Sequence, residues 1–178
     1  MQHIFFATQC KIKNNIIKKI GKLVANDCIG HYTDSIHYEL EQTSRLMNML
    51  TNQLFKKLEI SITLDEYIAL DTISINAGIC QRDLAKLILK DRANTGRILN
   101  ELEHKGFITR FIDTKNNRLV KKLGITEAGL TELNNINHKI KAYLSGVTKR
   151  IPPEDIAKVQ ETLKAFRLEL EKVVETNI

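Results

Sequence analysis

Apolar residues recur at helical spacing along most of the chain, and each run of them predicts a helix. The first run spans residues 12–23, has lysines on its other sides, and predicts a short basic amphipathic helix. A longer run begins after Asp34 and alternates between spacings of four and three residues, close to the ~3.5-residue period that aligns one seam with another helix. Its members are Ile36, Leu40, Thr43, Met47, Leu50 and Leu54.

Capping residues mark the next helices. Thr63 and Glu66 have the spacing of a capping box, so a helix is predicted to start there and to continue to about Asn76. After the interruption at Gly78, the sequence "CQRDLAKLIL" predicts a short helix. The apolar side chains that this helix is predicted to turn inward are Leu84, Leu87 and Ile88.

The following helix is predicted to have two different faces. Asp91 is a suitable N-cap and Gly106 a suitable C′ residue for a helix that runs to about Lys105. Its predicted buried stripe consists of Ile98, Leu99 and Leu102. Its polar residues are predicted to lie on the opposite side or in the exposed first turns: Arg92, Asn94, Thr95, Arg97 and Glu101. A helix that only packed a core would not need so many hydrogen-bonding side chains at its start.

A hairpin and two long helices are predicted beyond this point. The segments "FITRFID" and "RLVKKLGI" are rich in branched and aromatic residues and flank the polar "TKNN", which is a β-hairpin pattern. Helices are then predicted from Thr126 and from Pro152 and Pro153, each with one apolar face. The apolar faces at both ends of the chain exceed what one small domain can bury, so a twofold homodimer is expected.

Charge is unevenly distributed over the 178 residues. The formal net charge is +6, and the segment 77–125 alone holds eleven Lys and Arg against five Asp and Glu. A localised basic surface is typical of proteins that bind nucleic acid. No apolar run approaches the ~18 residues of a membrane span, and the N-terminal lysines follow the short apolar run, the wrong order for a secretory signal. A cytoplasmic protein without membrane contact is therefore expected.

Two short helices over a tight joint, the second with an exposed polar face, form the pattern of a helix–turn–helix. The second helix of that motif fits the major groove of B-DNA, where Arg pairs with guanine and Asn with adenine. A hairpin after it makes the motif a winged helix, with Lys121 and Lys122 as further candidates for phosphate contacts. The side chains predicted to contact double-stranded DNA are Gln81, Arg82, Arg92, Asn94, Thr95, Arg97, Lys115 and Arg118.

The fold class predicted from these elements is mainly α (α+β), a winged helix–turn–helix core with long flanking helices. We expect an N-terminal extension over residues 1–30 and dimerisation helices over residues 31–60 and 126–178. The DNA-binding domain is expected over residues 61–125.

From Thr63 to Gly129 the chain resembles the winged-helix core of the MarR family of bacterial transcription regulators. The matching segments are "QRDLAKLI", "DRANTGRILNELEHKGFITR", "DTKNNR" and "LGITEAG". The wing departs from the family pattern Asp–x–Arg–Asp–x–Arg, because Lys115 and Asn116 replace an Arg and an Asp. Lys115 keeps the charge without the planar fork of arginine, and Asn116 lacks a carboxylate that in the family is expected to brace the wing arginine.

The resemblance implies a homodimer that reads a pseudo-palindromic operator. We expect the protein to act as a repressor that blocks promoter access and not as an activator. It also implies that a small phenolic or lipophilic ligand, or cysteine oxidation, releases the DNA. Tyr38 and Tyr67 are candidates for lining such a ligand pocket, although aromatic residues at helical spacing usually belong to a core.

Three other functions compete with DNA binding as readings of these residues. A winged-helix module for protein–protein contact is the alternative that the altered wing keeps open. A redox switch at Cys80, near a helix N-terminus, competes with a plain packing role. Cys28, His31 and His37 are too loosely spaced to predict a metal site. No nucleophile–base pair or phosphate loop is recognisable, so neither an enzyme nor a cofactor is expected.

Overall fold

The computed structural model describes residues 31–115 and 118–173. The predicted N-terminal helix over residues 12–23 lies outside the described residues. After a 3-10 turn at Tyr32–Asp34, the described elements are α1 (Ile36–Lys57), α2 (Leu64–Ile75), α3 (Gln81–Leu87), α4 (Arg92–His104), β1 (Ile108–Lys115), β2 (Arg118–Ile125), α5 (Glu127–Thr148) and α6 (Pro153–Val173). The order and type of these elements confirm the predicted winged helix–turn–helix with flanking helices.

The chain divides into two compact units within α1, between Leu50 and Thr51. In the described part of the first unit, the ring of Tyr32 meets that of Tyr38 edge-on at 6.0 Å. The hydroxyl of Tyr32 also donates a hydrogen bond to Glu41 at 3.0 Å. These local contacts fix the start of α1.

The predicted capping box at the start of α2 is confirmed. The Thr63 hydroxyl accepts a hydrogen bond from the backbone N–H of Glu66 at 3.2 Å, and the Glu66 carboxylate accepts one from the N–H of Thr63 at 2.9 Å. Glu66 is only 6% exposed, and its carboxylate also accepts a hydrogen bond from Lys105 at 2.7 Å. The end of α4 is thereby tied to the beginning of α2.

The core of the second unit lies between α2, α3, α4, the hairpin and α5. Its fully buried side chains include the predicted Leu84, Leu99 and Leu102. Leu87, predicted to point inward, is 58% exposed, so that prediction was wrong. At ~100° per residue, Leu87 lies well to one side of the face that Leu84 and the buried Ala85 share.

The predicted hairpin is confirmed as a two-stranded antiparallel sheet. Its register pairs Ile108 with Ile125 at the base and Lys115 with Arg118 at the described tip. The chain reaches β1 through Gly106, whose positive φ of 73° is the left-handed conformation that ends α4.

The last two helices differ in burial. α5 was predicted to open at Thr126; it begins one residue later, with Thr126 as its N-cap, and buries Leu133 and Ile136 in the core. α6 has no buried residue within its described range, and its apolar residues Val159, Leu163 and Leu170 are exposed in the single chain. Among the described helices, none is long and apolar enough to cross a membrane.

Candidate nucleic-acid interface

The joint between α3 and α4 is four residues long and is closed by backbone hydrogen bonds. The N–H of Leu89 donates to Lys86 at 3.3 Å, and that of Lys90 donates to Ala85 at 3.0 Å. Leu89 has a positive φ of 53°, which reverses the chain in the manner usually left to glycine. The Lys90 side chain also pairs with Asp65 at 2.9 Å. The joint therefore sets the angle between the two helices.

Asp91 caps the N-terminus of α4 as predicted. Its carboxylate accepts a hydrogen bond from the backbone N–H of Asn94 at 2.8 Å. Its carbonyl accepts hydrogen bonds from both the N–H of Thr95, at 2.9 Å, and the hydroxyl of Thr95, at 2.8 Å. The first turn of α4 is thus held by one residue, which leaves its outer side chains free to face solvent.

Thr95 requires a correction. It was predicted to lie in the exposed first turns of the helix, but it is fully buried at 0% exposure. Its position on α4 is only three residues before Ile98 and four before Leu99, so it shares their inward face. Since its hydroxyl is also bonded within the helix, Thr95 belongs to the packing of α4 and not to its outer surface.

The outer face of α4 is polar. Arg92 and Arg97 are exposed, and Asn94 is half-buried. A guanidinium nitrogen of Arg97 lies 3.5 Å from the side-chain oxygen of Asn94, so the two side chains are neighbours one turn apart. An Arg and an Asn side by side near a helix N-terminus are suited to hydrogen bonding with the edges of adjacent bases.

The first two residues of α3, Gln81 and Arg82, have different surroundings from each other. The amide nitrogen of Gln81 donates a hydrogen bond to the carbonyl of Arg92 at 3.1 Å, which joins the beginnings of the two helices. Gly96 permits this approach, because a Cβ there would lie 3.3 Å from the same nitrogen. Arg82 remains 64% exposed and meets Asp83 at 3.4 Å.

The wing lies beside α4, with Arg110 between them. Arg110 on β1 pairs with Glu103 at 2.7 Å and donates a hydrogen bond to Asn100 at 2.8 Å. No sequence motif distinguishes Arg110, whose charge only adds to the basic excess of residues 77–125. A cavity of about 190 Å³ lies at this junction, lined by Gln81, Gly96, Asn100, Arg110, Lys121 and Leu123.

Sequence comparison assigns the family. The MarR family profile matches residues 62–120. An uncharacterized HTH-type transcriptional regulator of Bacillus subtilis (strain 168), YybA, is 30% identical over 141 residues, which cover 77% of this chain and 87% of that protein. The chain belongs to the MarR family of transcription regulators.

Solved structures agree with this assignment. The transcriptional regulator SlyA is 27% identical with a TM-score of 0.65, and the match covers 78% of this chain and 95% of that one. A DNA complex of S. aureus MepR is 19% identical with a TM-score of 0.64, covering 79% and 99%. At that identity the likeness to MepR supports the fold alone, which is the MarR-family winged helix.

The tip of the MarR-family wing is only partly described here. Asn116 and Asn117 lie outside the described residues, as do the side chains of Lys115 and Arg118. The predicted DNA contacts of Lys115 and Arg118 therefore remain predictions. Lys121, one of the further candidates, is exposed on β2.

Cys80 is half-buried and occupies the N-cap of α3. Its thiol donates a hydrogen bond to Asp83 at 3.1 Å. This hydrogen bond is the main cause of the lowered pKa of the Asp83 carboxyl, and Arg82 lowers it further. The arrangement gives Cys80 a structural role at the start of α3, while the predicted redox role remains untested.

The two tyrosines predicted to line a ligand pocket lie in different units. The hydroxyl of Tyr67 donates a hydrogen bond to Asn137 at 2.6 Å, and its ring meets that of Phe55 edge-on at 6.0 Å. Burial raises the pKa of the Tyr67 phenol. These contacts fit a packing role for Tyr67, and the predicted pocket stays a prediction.

Cys28, the first of the three residues considered for metal binding, lies outside the described residues. Among the residues that the structure describes, no group of three or more His, Cys, Asp and Glu side chains could hold a metal ion.

Proposed function

We propose that this MarR-family chain binds a pseudo-palindromic operator as a homodimer and represses transcription by blocking access to a promoter. The observation that supports this most strongly is the face of α4, where Arg92, Asn94 and Arg97 stand together at the capped start of an otherwise packed helix. The proposal requires no covalent chemistry from the protein.

In the proposed complex, the first turns of α4 enter the major groove. Arg97 is suited to guanine through its two-pronged guanidinium group, and Asn94 to adenine through its amide. Gln81, a candidate for contacts with the DNA backbone, leaves the set of DNA contacts, because its amide nitrogen is bonded to the carbonyl of Arg92. Thr95 leaves it as well, because it is buried.

Phosphate contacts are assigned to exposed basic side chains around this helix. Arg82 at the start of α3 and Lys121 on β2 are exposed, and Lys115 and Arg118 join them as predicted contacts of the wing tip. Each neutralised phosphate adds about 0.9 to the steepness of the salt dependence of binding. A dimer with these four contacts per copy would have a slope of about −7.

The homodimer is proposed from exposed apolar surface. Val159, Leu163 and Leu170 recur along one side of α6 at spacings of four and seven residues, and all three are exposed in the single chain. Soluble proteins rarely leave a continuous apolar stripe in water, so a second copy is its proposed cover.

Sedimentation velocity tests the dimer. Leu163→Asp places a charge in the stripe and should shift the protein toward the monomer. Lys164→Asp, the next residue, introduces the same side chain outside the stripe and should leave the dimer intact. A wild-type protein that sediments as a monomer at micromolar concentration would contradict this part of the proposal.

DNA binding is tested by titrating the purified protein with the DNA upstream of its own gene, against random competitor DNA, at two salt concentrations. The proposal predicts a clear preference for one fragment and a steep loss of affinity with salt. Salt-dependent binding without preference for any genomic fragment would point to a basic surface that does not read sequence.

The same assay addresses the alternatives. Release of DNA by a small ligand enters the proposal through family membership, and phenolic additives in the titration test it. Replacing Cys10, Cys28 and Cys80 together should remove any response to oxidant if a cysteine is the trigger. A protein–protein module would bind no DNA fragment and would keep its partner after substitution of Arg97 and Arg118.

A further inference from the structure

The base of the wing is joined to the segment that precedes α3. The N–H of Leu123 on β2 donates a hydrogen bond to the carbonyl of Ile79 at 2.9 Å, and Cys80 forms an isolated antiparallel bridge with Lys122. Beyond Lys122, the described ladder contains only pairs between β1 and β2. Lys122 therefore stands where the wing leaves the body of the domain.

The side chain of Lys122 is held on both its apolar and its charged parts. Its stem lies over Gly78, where a Cβ would be 3.4 Å from the lysine Cδ. Its ammonium group pairs with the Asp113 carboxylate at 2.5 Å. The register pairs Asp113 with Val120, so this ion pair crosses the hairpin diagonally. The Lys122 side chain is only 26% exposed, whereas the neighbouring Lys121 is exposed.

Asp113 is itself fixed at the other end of the ion pair. Its second carboxylate oxygen accepts a hydrogen bond from the backbone N–H of Thr114 at 2.8 Å. Lys122, followed by this N–H, lowers the pKa of the Asp113 carboxyl. The charged form of Asp113 is thus favoured in the folded protein, and a phosphate would have to compete with it for the ammonium group.

We propose that Lys122 is a positioning residue that holds the wing at its angle to the helix–turn–helix by joining Asp113 to the turn at Gly78, and that it does not contact phosphate. This inference rests on the proposed DNA-binding function, for which Lys122 was a candidate phosphate contact. Successive side chains of a strand point to opposite faces, so Lys121 and Lys122 cannot serve the same surface.

The geometry shows why this angle matters. Arg118 at the wing tip is four residues beyond Lys122, or about 13 Å at 3.3 Å per residue. A tilt of only ~10° at Lys122 moves a tip at that distance by about 2 Å, which is enough to break a hydrogen bond of ordinary length. Loss of the Lys122–Asp113 ion pair, which we call the brace of the wing, should therefore weaken the DNA contacts of the wing tip without altering α4.

A double-mutant cycle tests the brace. The variants are Lys122→Met, Asp113→Asn and the two combined, with Lys121→Met and its combination with Asp113→Asn as matched controls. Affinity for the preferred DNA fragment is measured at several salt concentrations. In parallel, hydrogen exchange of the wing amides is followed without DNA, and thermal unfolding shows whether each variant is folded.

The proposal makes three linked predictions for this cycle. Lys122→Met and Asp113→Asn should each weaken binding several-fold, and the combined variant should be no weaker than either alone. The salt slope should fall by the same amount in Lys122→Met and in Asp113→Asn, because both variants act through the phosphate contacts of the wing tip. Lys121→Met should show no coupling to Asp113→Asn.

The Asp113→Asn variant separates the proposal from simple electrostatics. If Asp113 acted only as a negative charge near DNA, its neutralisation would strengthen binding, whereas loss of a brace weakens it. Tighter binding by Asp113→Asn, or a salt slope reduced by about 1 in Lys122→Met but unchanged in Asp113→Asn, would overturn the proposal.

Failure of the DNA-binding function would be visible separately, because the wild type would then bind no fragment. Hydrogen exchange still tests the brace in that case. In both single variants, the wing amides should exchange faster than in the wild type. The α4 amides should exchange at the wild-type rate. Unchanged wing exchange would overturn the brace whatever the DNA result.

Discussion

Gly129 lies in the first turn of α5, where that helix passes directly over the turn between α4 and β1. A Cβ at this position would lie 2.1 Å from the carbonyl oxygen of Phe107 and 3.0 Å from a side-chain carbon of Ile125. The same carbonyl accepts a hydrogen bond from the N–H of Thr126 at 3.0 Å. Because the atom approached belongs to the backbone, no rotamer change can relieve the clash.

We expect Gly129→Ala to destabilise the protein by about 3 kcal/mol. An ordinary contact begins at 3.4 Å, so the new methyl group and the carbonyl must separate by about 1.3 Å. Overpacking costs about 1–3 kcal/mol, and the upper end applies because backbone must move. The strained hydrogen bond from Thr126 adds about 1 kcal/mol, which the better helix propensity of alanine offsets. The midpoint of thermal unfolding should fall by about 6–12 °C.

Gly146→Ala is the matched control in the same helix, since no described atom lies within 4 Å of a Cβ built at Gly146. It should be unchanged or up to about 1 kcal/mol more stable. Thermal and urea unfolding, followed by far-UV circular dichroism, should be compared at one protein concentration because association shifts the midpoint. If Gly129→Ala were as stable as Gly146→Ala, the close approach of α5 to the α4–β1 turn would be refuted.

Three further perturbations test contacts that stabilise α4 and the wing. Asp91→Ala removes the cap of α4 and should lower the free energy of unfolding by about 1 kcal/mol in urea, while Asp91→Asn keeps it. Lys105→Met leaves the buried Glu66 without its ammonium partner and should lower the free energy of unfolding by about 2 kcal/mol. The loss is smaller than for a fully buried pair, because the Lys105 side chain is 27% exposed. Lys122 lowers the pKa of the Asp113 carboxyl. The Lys122–Asp113 ion pair therefore stabilises the wing above the ordinary pKa of Asp113, and this stabilisation is lost as pH falls through the lowered value. Wing amides should lose hydrogen-exchange protection only below pH ~4, and equal loss in Asp113→Asn would contradict that assignment.

The order of elements could be predicted because its signals are local. The capping box at Thr63, the cap at Asp91 and the left-handed Gly106 each depend on residues within one turn. The basic, polar start of α4 was visible in the same way. These short-range features are the ones that a single sequence carries directly.

The remainder of the site depends on contacts between residues far apart in the chain. Thr95 was expected in the exposed first turns of α4, but the helix packs against the core from its first turn and buries it. The bond from Gln81 to the carbonyl of Arg92 spans 11 residues, and only the fold brings the two together. The roles of Arg110 and Lys122 likewise follow from strand register, which no local pattern specifies.

The central claim is that the outer face of α4 reads bases, and Arg97 tests it most directly. Affinity for the preferred fragment and for random DNA should be measured for the wild type, Arg97→Ala and Arg150→Ala, the last being an exposed arginine between α5 and α6. Arg97→Ala should lose about 1–3 kcal/mol of binding free energy and tolerate base changes at one position of each half-site. Arg150→Ala should keep both affinity and preference. An Arg97→Ala protein with wild-type affinity and preference would contradict the account.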